Sequence, residues 1–482
     1  MDEYNIIGRE YEQKLIRDYL DSDKAELIAV YGRIRVGKTY LVKSMFENKF
    51  DFAFTGLFEV TRAVHLAQFK KYLERYSGQK IKRPKDWFEA FDALRGYLDT
   101  LQKDKIIVFL DEIPWMDTPK SNFLAAFSQF WNDWASTKKN LKLFVCGSAT
   151  TWMLSKFIGN KGGIYGRVCR SIRLAPFSLA ETEEFMKEIK GIEVNRHQLV
   201  KAYMILGGIP YYLDMLTKNT PLDVCIDDLF FRQGAPLREE FDFLFRSLFK
   251  ESKIYKNVVT MLATKLKGLT RQEILDELKL QEGGTLTEVI DNLTKCDFVR
   301  KYSAIGKTER DVMYQLTDLF SLFHIKFIEN HSGQDEHLWS KLVGKGQTTS
   351  WSGYAFEQVC LHHIPQIKAA LGINGIICNI HSWLCRPFTD KDGTSWRGGQ
   401  IDLLIDRADE VINICEVKYA SDKYVLTADY EERLRNRASL FCTVTKTKKA
   451  VVHTFITTYG VAGNIHSGIV QSEVTMDDLF RK

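Results

Sequence analysis

Short continuous runs of apolar residues alternate with helix-like segments over the first 175 residues. The runs at residues 27–31, 106–110 and 141–146, the last broken by Lys142, are typical of strands buried on both faces of a parallel sheet. Segments with helical spacing follow these runs. Strands that alternate with helices in this way predict a doubly wound α/β domain over residues 1–175.

The pattern turns helical from residue 176 to about residue 250. Ser178 stands three residues before Glu181, where it can cap the first helix of this segment. Residues 207–210, Gly-Gly-Ile-Pro, form a turn that stops a helix. We therefore expect a separate helical segment at residues 176–250.

Residues 251–330 predict a small helical unit that ends in a hairpin. Two Thr-x-x-Glu capping boxes, which begin at Thr270 and Thr285, open consecutive short helices. Residues 298–302 and 312–316 are predicted to be strands on either side of a charged turn. Three helices followed by a hairpin indicate a winged helix.

The predicted recognition helix of this winged helix is acidic. Residues 285–297 contain Glu288, Asp291 and Asp297 but a single basic residue, Lys295. An acidic helix suits a phosphate-lined groove badly. Two interpretations therefore stay open for this unit: contact with DNA, or a role as a spacer or protein-docking element.

Residues 330–347 are polar and contain glycine, which predicts a linker into a last domain at residues 331–482. In that domain residues 399–406 and 411–418 are predicted strands separated by a short turn. Residues 427–442 follow as a predicted helix. The two strands therefore predict a β-hairpin next to a helix.

A complete phosphate-binding loop lies between the first predicted strand and the helix after it. Residues 32–39 fit the pattern G-x-x-x-x-G-K-[ST]. The residues predicted to bind ATP here are Gly32, Arg33, Ile34, Arg35, Val36, Gly37, Lys38 and Thr39. Backbone N–H groups of such a loop converge on phosphates, Lys38 reaches the β- and γ-phosphates, and the Thr39 hydroxyl ligates Mg²⁺.

Two acids end the second apolar run. Asp111 and Glu112 lie at the carboxyl end of a predicted parallel strand, which is where ligands bind in open α/β sheets. Asp111 is predicted to hold the Mg²⁺ through water, and Glu112 to polarise the attacking water, so hydrolysis is expected as well as binding. Ser148, at the end of the third run, is predicted to sense the γ-phosphate.

The hairpin of the last domain brings two further acids together. If it is centred on Asp409 with a three-residue loop, residues whose numbers sum to 818 face each other. Asp402 then lies across from Glu416 with Cβ atoms roughly 4.5–5.5 Å apart, and Lys418 points to the same face. Two opposed carboxylates repel each other, and a divalent cation between them removes that penalty.

Mg²⁺, or Mn²⁺ in its place, suits this pair of acids because it prefers oxygen ligands. Asp402 and Glu416 are the predicted metal ligands, and Lys418 is predicted to orient or help deprotonate the attacking water. Glu357, on a preceding predicted helix, presents a further carboxylate. The alternative left open is a surface ion pair of Lys418 with Asp402 or Glu416 on an ordinary hairpin.

Basic residues are frequent after Lys418. Arg433, Arg435 and Arg437 lie on the predicted helix, with Glu431 close by. They form either a phosphate-binding track beside the predicted metal or a solvated helix face, and the sequence leaves both open.

Composition narrows the function less than these motifs do. The net charge of +5, from 67 basic and 62 acidic residues in 482, neither requires nor excludes a nucleic-acid partner. The nine cysteines include no C-x-x-C pair, which argues against zinc sites and disulfides. The first residues lack the basic and apolar segments of a signal peptide, so none is expected. No uncharged apolar stretch approaches a length of about 18 residues, so no membrane span is expected, and we expect a cytoplasmic location.

The first 325 residues or so resemble the archaeal-type P-loop ATPases of the STAND/AAA-like group. The motifs that carry the resemblance are Ile7-Gly8-Arg9-Glu10, residues 32–39, Leu110-Asp111-Glu112, Cys146-Gly147-Ser148, Tyr165-Gly166-Arg167, Pro176-Phe177-Ser178 and Gly207-Gly208-Ile209-Pro210. The resemblance implies an ATPase core, a helical lid and a winged helix, with ATP and Mg²⁺ as ligands. It also makes Arg167 a candidate arginine sensor or finger at the ATP site.

The chain from about residue 335 to 482 looks like the PD-(D/E)xK-type nuclease domain that is often fused to these ATPases. The matching residues are Glu357 as the helix acid, Asp402 as the first metal acid, and Glu416 and Lys418 as the E-x-K pair. Gly399-Gln400, and no proline, precedes Ile401-Asp402, a variation that the superfamily tolerates. The resemblance implies a restriction-endonuclease-like α/β fold, catalytic roles for Glu357 and Lys418, and DNA as a partner.

Two functions compete on this evidence. The leading hypothesis is an ATPase whose nucleotide state controls a Mg²⁺-dependent deoxyribonuclease. The alternative is a nucleotide-dependent switch or scaffold whose nuclease-like domain only binds nucleic acid or protein. No membrane partner is expected, and assembly into a homo-oligomer is left open.

Overall fold

The computed structural model describes residues 5–159, 168, 170–302, 305, 312–329, 331, 335–389, 393 and 395–482. The chain forms two compact units, Met1–Pro176 and Phe177–Lys482. The candidate arginine finger Arg167 and the predicted turn at residues 306–311 lie outside the described residues. Of the helices in these ranges, none combines the length and the apolar character that crossing a bilayer requires.

A parallel sheet forms the centre of the amino-terminal unit. Its strands are β1 (Glu26–Tyr31), β2 (Phe52–Thr55), β3 (Ile106–Asp111), β4 (Leu141–Gly147) and β5 (Arg170–Arg173). Their order is β2-β3-β4-β1-β5, and every neighbouring pair is parallel. The expected α/β fold with a parallel sheet at the amino end is therefore confirmed.

Helices pack against this sheet through large aromatic side chains. They are α1 (Glu10–Leu20), α2 (Lys38–Met45), α3 (Arg62–Ser77), α4 (Trp87–Leu98), α5 (Ile113–Met116), α6 (Phe123–Asp133) and α7 (Thr150–Trp152). Phe69, Trp87 and Phe127, from three of these helices, lie in one core cluster with strand residues and are completely buried. Burial of such side chains contributes roughly 1.5–3 kcal/mol each to stability.

The carboxyl-terminal unit is mostly helical in its first half. The helices of its described residues are α8 (Leu179–Glu184), α9 (Arg196–Leu206), α10 (Pro210–Leu213), α11 (Leu222–Phe230), α12 (Glu240–Leu248), α13 (Ser252–Thr264), α14 (Arg271–Leu278), α15 (Gly284–Lys295), α16 (Leu319–Phe327), α17 (Leu338–Leu342), α18 (Gly346–His362), α19 (Ile364–Ala370) and α20 (Ala428–Thr445). The last two long ones, α18 and α20, carry side chains of the candidate site described below.

Among the described residues, the strands of the same unit form three sheets, of two, three and five strands. They are β6 (Leu269–Thr270), β7 (Val299–Tyr302), β8 (Met313–Leu316), β9 (Cys378–Cys385), β10 (Phe388–Thr389), β11 (Ser395–Trp396), β12 (Gly399–Arg407), β13 (Val411–Lys418), β14 (Ala450–Thr457) and β15 (Ser472–Thr475). The three-stranded sheet has the order β6-β8-β7 and the five-stranded sheet the order β15-β14-β13-β12-β9. The larger sheet is mixed, because β13, β14 and β15 run parallel while β12 is antiparallel to both of its neighbours.

Local capping signals succeed at two helices and fail at a third. Thr270 forms the capping box that the sequence predicts at the first turn of α14, and Ser178, the predicted cap of α8, forms a capping box with Glu181. The predicted box at Thr285 is wrong, because α15 already begins at Gly284 and its cap residue is Gly283. Thr285 therefore lies inside the first turn, where its hydroxyl has no cap position to fill.

The expected linker at residues 330–347 contains a docked helix. Trp339 of α17 is 1% exposed, and its backbone N–H donates to Asp227 Oδ1 of α11 at 2.8 Å. The prediction of a free linker is therefore wrong for this part of the segment. The polar composition of the segment favours a linker, but the large apolar side chain of Trp339 alone supplies enough buried surface to dock the helix.

The hairpin of β12 and β13 has the register that the sequence predicts. Leu403 pairs with Cys415 and Asp406 with Ile412, so the paired numbers sum to 818. On its other side β12 is irregular, because Ile401 pairs with Trp383 of β9 and the next pair joins Leu404 to His381. Two residues of β12 thus lie opposite one residue of β9, which is the arrangement of a β-bulge.

Candidate functional site

The phosphate loop of the amino-terminal unit depends on two glycines. Gly32 has a φ of 149°, and a Cβ at this position would lie 2.2 Å from the carbonyl oxygen of Leu174. Gly37 caps α2 with a φ of 92°, and no protein atom lies within 4 Å of a Cβ built there. The loop therefore needs glycine for close packing at one end and for backbone conformation at the other.

The side chains of the loop differ in burial. Arg33 and Val36 are buried, at 4% and 1% exposure, while Ile34 and Arg35 are half-buried. Arg35 adopts a left-handed conformation with a φ of 71°. The loop is therefore wound tightly enough to turn two of its side chains inward.

Lys38 lies at the centre of this loop and is 4% exposed. Its ammonium group donates to the carbonyl oxygens of Gly32 at 3.0 Å and Arg33 at 2.8 Å. Burial lowers the pKa of Lys38, and the charges of Glu112 and Asp111 act in the opposite direction. The cation is thus held by neutral carbonyls, with two acids nearby.

Thr39 and Asp111 meet although 72 residues separate them in the chain. The Thr39 hydroxyl donates to Asp111 Oδ2 at 2.9 Å, and Asp111 is 3% exposed. Burial, followed by the charge of Glu112, raises the pKa of Asp111 to about 6. A hydroxyl and a carboxylate at this spacing are an oxygen-donor pair of the kind that suits Mg²⁺.

Glu112 is held by Ser148 across the ends of β3 and β4. The Ser148 backbone N–H donates to Glu112 Oε2 at 3.0 Å, and the Ser148 hydroxyl donates to Oε1. Glu112 itself has a left-handed φ of 48° at the start of α5. Three predicted residues, Asp111, Glu112 and Ser148, therefore lie together at the carboxyl edge of the sheet.

A cavity of about 1020 Å³ in the carboxyl-terminal unit collects the second set of predicted residues. Glu357, Asp402, Glu416 and Lys418 all line it. They come from α18, β12 and β13, so three elements supply the four side chains.

Asp402 lies in the bulge of β12. Its backbone carbonyl accepts a hydrogen bond of 2.5 Å from the hydroxyl of Ser382, the single β9 residue opposite the bulge. Gln400 donates to the Asp402 carboxylate. Burial raises the pKa of Asp402 and the charge of Glu416 raises it further, while the Gln400 hydrogen bond lowers it.

Glu416 is the most enclosed of the acids, at 5% exposure, and α20 occupies both of its oxygens. Tyr430 donates its hydroxyl to Oε2 at 2.5 Å, and the Arg437 guanidinium donates to Oε1. The Lys418 ammonium lies 3.5 Å from Oε2. A tyrosine and two cations therefore surround one carboxylate.

Glu357 projects from α18 toward the other acids. Burial, followed by the charge of Asp402, raises its pKa to about 8. The preceding turn of α18 is fixed by Tyr354, whose hydroxyl accepts from Gln315 Nε2 at 3.1 Å and donates to the Leu316 carbonyl at 3.3 Å. The position of Glu357 thus depends on β8.

Arg300 of β7 connects the small sheet to the acids. Its guanidinium donates to Ser382 Oγ at 2.9 Å and to Gln315 Oε1 at 2.6 Å. Ser382 in turn donates to Asp402, and the positive charge of Arg300 lowers the pKa of Glu357. Sequence reasoning missed Arg300, since nothing in the spacing relates it to residues about 100 positions away.

The far end of α18 is anchored by His363. The ring Nε2 accepts from the Leu179 backbone N–H at 2.9 Å, and Nδ1 donates to the Val359 carbonyl at 2.7 Å. His363 is 1% exposed, and burial lowers its pKa to about 4. The helix that bears Glu357 is thus tied to α8 through a neutral imidazole.

Basic side chains line the same cavity around the acids. Lys267, Arg397, Arg433 and Arg437 are among them. Arg435 is not, because it turns to Glu431 on the helix surface at 2.6 Å. The basic helix therefore divides into a cavity face and a solvated face.

The donor set of the cavity suits a hard divalent cation because it consists of carboxylate oxygens, and burial together with the negative charges of Asp402 and Glu416 raises the pKa of Glu357. In the described part of the chain, however, no three acidic, histidine or cysteine side chains are close enough to hold a metal ion. The hydrogen bonds of Glu416 to α20 direct its carboxylate to Tyr430 and Arg437.

The chain is similar in sequence to an archaeal protein and similar in structure to solved proteins that include an ATPase. The chain is 27% identical over 419 residues to an uncharacterised protein of Methanocaldococcus jannaschii, covering 86% of this chain and 87% of that protein. It is similar in structure to the Walker-type ATPase of Pyrococcus abyssi, at 16% identity and a TM-score of 0.47, over 67% of this chain and 97% of that one. The ORC2 protein of Aeropyrum pernix is similar at 14% identity and a TM-score of 0.43, over 67% and 95%.

A family model covers the amino-terminal part of the chain. Residues 6–216 match an ATPase domain that occurs predominantly in Archaea. This range contains the phosphate loop, Asp111, Glu112 and Ser148. The chain therefore carries an archaeal-type ATPase domain in its amino-terminal part.

Proposed function

We propose that this chain binds and hydrolyses ATP and couples this activity to a metal-dependent DNA endonuclease-like domain. The proposed parts are an ATPase core at residues 1–175, a helical lid at 176–250, a winged helix at 251–330 and a PD-(D/E)xK nuclease-like domain at 331–482.

The contact between Thr39 and Asp111 carries the ATPase half of the proposal. These two residues would hold Mg²⁺ together with the nucleotide, and the cation would neutralise charge on the β- and γ-phosphates. Lys38 would exchange its bonds to loop carbonyls for bonds to phosphate oxygens. Glu112 would then orient the attacking water, and Ser148 would respond to the γ-phosphate.

The meeting of Glu357, Asp402, Glu416 and Lys418 in one cavity carries the nuclease half. Asp402 and Glu416 would hold Mg²⁺ or Mn²⁺, with Glu357 beside them. The cation would stabilise the negative charge that develops as a phosphodiester is cleaved. Lys418 would orient the attacking water, and its positive charge would favour loss of that water's proton to bulk solvent.

DNA is the proposed substrate because basic side chains line the cavity that holds the acids. Lys267, Arg397 and Arg433 supply positive charges for the phosphates of a polynucleotide. Lys267 precedes β6, so the proposed winged helix at residues 251–330 contributes a side chain to this cavity. That placement favours a role for the proposed winged helix as a wall of the substrate site over independent reading of a DNA groove.

Two point variants test the proposal. Lys38→Ala should abolish ATP hydrolysis, and Asp402→Ala should abolish cleavage of DNA in Mg²⁺ or Mn²⁺ while ATP turnover survives. Purified protein would be assayed on plasmid, linear and single-stranded DNA, with and without ATP. If all three DNA forms stay intact under every condition, the nuclease half fails and the ATPase half is unaffected.

One observation favours a second candidate function. Glu416 is fully engaged by Tyr430 and Arg437, as a carboxylate with a purely structural role would be. The chain would then be a nucleotide-dependent switch or scaffold whose carboxyl-terminal domain only binds nucleic acid or protein. In that case only Lys38→Ala has a biochemical phenotype, and Asp402→Ala leaves DNA binding unchanged.

A further inference from the structure

Arg437 and Tyr430, both on α20, donate hydrogen bonds to the two carboxylate oxygens of the buried Glu416. They are seven residues apart in α20, which places them on the same helix face two turns from each other. Each binds a different oxygen of Glu416. Together they leave little room for a further ligand on this carboxylate.

A buried carboxylate requires a partner of opposite charge, and Arg437 supplies it here. The Glu416 side chain is 6% exposed and the Arg437 side chain 22%. A divalent cation bound to the same oxygen would lie next to the Arg437 guanidinium, and the two positive charges would repel each other. Arginine and metal ion therefore compete for Glu416.

The surroundings of Arg437 offer it a second position. It lines the cavity together with Arg433 and Arg397, while its exposed fraction gives the guanidinium space to turn outward. Guanidinium groups bind phosphate in a bidentate way. An anionic ligand in the cavity would thus find Arg437 within reach once Glu416 is taken by a cation.

We propose that Arg437 is an exchangeable counter-charge: it neutralises Glu416 while the cation site is empty, and binds a substrate phosphate once a divalent cation has taken its place. This inference rests on the proposed nuclease function. It explains why the acids line one cavity while no three of them, among the described side chains, are close enough to hold a metal ion. Arg437 is then a positioning residue for the metal and a binding residue for the substrate.

Titration of Mn²⁺ into the full chain tests the first step. Arg437→Gln removes the competitor, so we expect Mn²⁺ to bind about tenfold more tightly in isothermal titration calorimetry without DNA. The matched control is Arg435→Gln, on the same helix but paired with Glu431 on its surface, which should bind Mn²⁺ as the parent chain does. Equal or weaker Mn²⁺ binding by Arg437→Gln would overturn the exchange.

Binding of a fluorescein-labelled single-stranded oligonucleotide tests the second step. The measured quantity is the slope of the logarithm of the binding constant against the logarithm of the salt concentration. In Ca²⁺, the magnitude of this slope should fall by about one unit in Arg437→Gln and should not change in Arg435→Gln. In EDTA, Arg437 stays on Glu416, so the slope of Arg437→Gln should equal that of the parent chain. A loss of slope in both media, or in neither, contradicts the exchange.

Folding and function are separated by further measurements. If Arg437→Gln does not fold, Arg437→Lys takes its place, and it should bind Mn²⁺ more tightly than the parent because the shorter lysine side chain holds Glu416 Oε1 less firmly than the guanidinium does. If the Arg437 variants bind Mn²⁺ more tightly but the parent chain cleaves no DNA, the result supports the exchange and contradicts the proposed nuclease activity. If DNA cleavage depends on Asp402 but neither Arg437 variant changes the Mn²⁺ affinity, the result supports the nuclease activity and contradicts the exchange.

Discussion

The phosphate loop and the carboxylate cavity hold their acids by opposite means. At the loop, Asp111 accepts from the Thr39 hydroxyl, and Glu112 accepts from the hydroxyl and backbone N–H of Ser148. In the cavity, Glu416 is bound by the cation of Arg437 and has Lys418 nearby. Neutral groups donate to the first pair of acids, whereas Glu416 is bound by a cation in addition to the neutral Tyr430 hydroxyl.

This difference decides what an incoming Mg²⁺ would meet. A carboxylate that accepts from hydroxyl and amide groups keeps its full negative charge, so a cation gains that attraction directly. A carboxylate already paired with arginine has lost most of it, so a cation must first displace the arginine. An incoming Mg²⁺ would therefore reach the loop acids without displacing a cation, whereas at Glu416 it would have to displace Arg437.

The largest expected effect concerns the backbone of the loop. Gly32→Ala should destabilise the amino-terminal unit by roughly 4 kcal/mol, because it adds conformational strain to a close contact with Leu174. ATP affinity should fall with it, as measured by urea unfolding and by titration of a fluorescent ATP analogue. Gly96→Ala in α4, where a Cβ meets nothing within 4 Å, is the control and should be neutral or stabilising. A parent-like Gly32→Ala would mean that the loop is less tightly wound than described.

The next effect concerns pH and the anchor of α18. His363 has its pKa lowered from 6.5 to about 4, so the unfolded chain binds a proton before the folded chain does. Stability from this group is therefore complete above pH 6.5 and falls as the pH drops toward 4, by at most about 3 kcal/mol. His363→Gln keeps an acceptor and a donor but does not titrate, so the loss between pH 7 and 4.5 should be smaller in this variant. Identical pH profiles in thermal unfolding would contradict the neutral anchor.

Glu112→Gln tests the loop site with a change of charge alone. The amide oxygen can still accept from Ser148, so stability and ATP binding should be kept while hydrolysis falls on the order of 100-fold. Ser148→Ala, which keeps the carboxylate, should reduce hydrolysis less. Both would be measured by phosphate release at saturating ATP. A parallel loss of ATP affinity in Glu112→Gln would assign Glu112 to binding instead of turnover.

The smallest expected effect is the change in stability caused by a glutamate-to-glutamine substitution in the cavity. Glu416→Gln leaves Arg437 without its carboxylate and should cost about 1–2 kcal/mol, a modest figure because Arg437 is partly exposed to solvent. The double variant with Arg437→Gln should recover part of that loss in urea unfolding. Stabilisation by Glu416→Gln would instead mean that repulsion among the acids outweighs the ion pair, and the contrast between the two sites would fail.

Much of the fold follows from local sequence signals. The apolar runs locate β1, β3 and β4, because strands buried on both faces need continuous apolar residues. The turn of the last hairpin sets its register, and the observed pairing agrees with it. The phosphate loop is contiguous, so a single pattern identifies nearly all of its residues.

The cavity site could be predicted only in part, since its remaining contacts join distant parts of the chain. The E-x-K spacing indicates Glu416 and Lys418, but no local signal relates Arg437 or Arg300 to them. His363 was missed for the same reason: its hydrogen-bond partner Leu179 lies 184 positions earlier. Polar composition also concealed the buried Trp339 within an expected linker.

The bulge in β12 has a consequence for how this protein tolerates change. Deletion of Leu403 would restore an uninterrupted ladder with β9 and give a more regular sheet. It would also rotate Asp402 to the reverse side of the strand, away from Glu416, because side chains alternate with a period of two. A better-paired sheet would thus separate the two acids, so the irregularity of β12 is what keeps Asp402 on the side of Glu416.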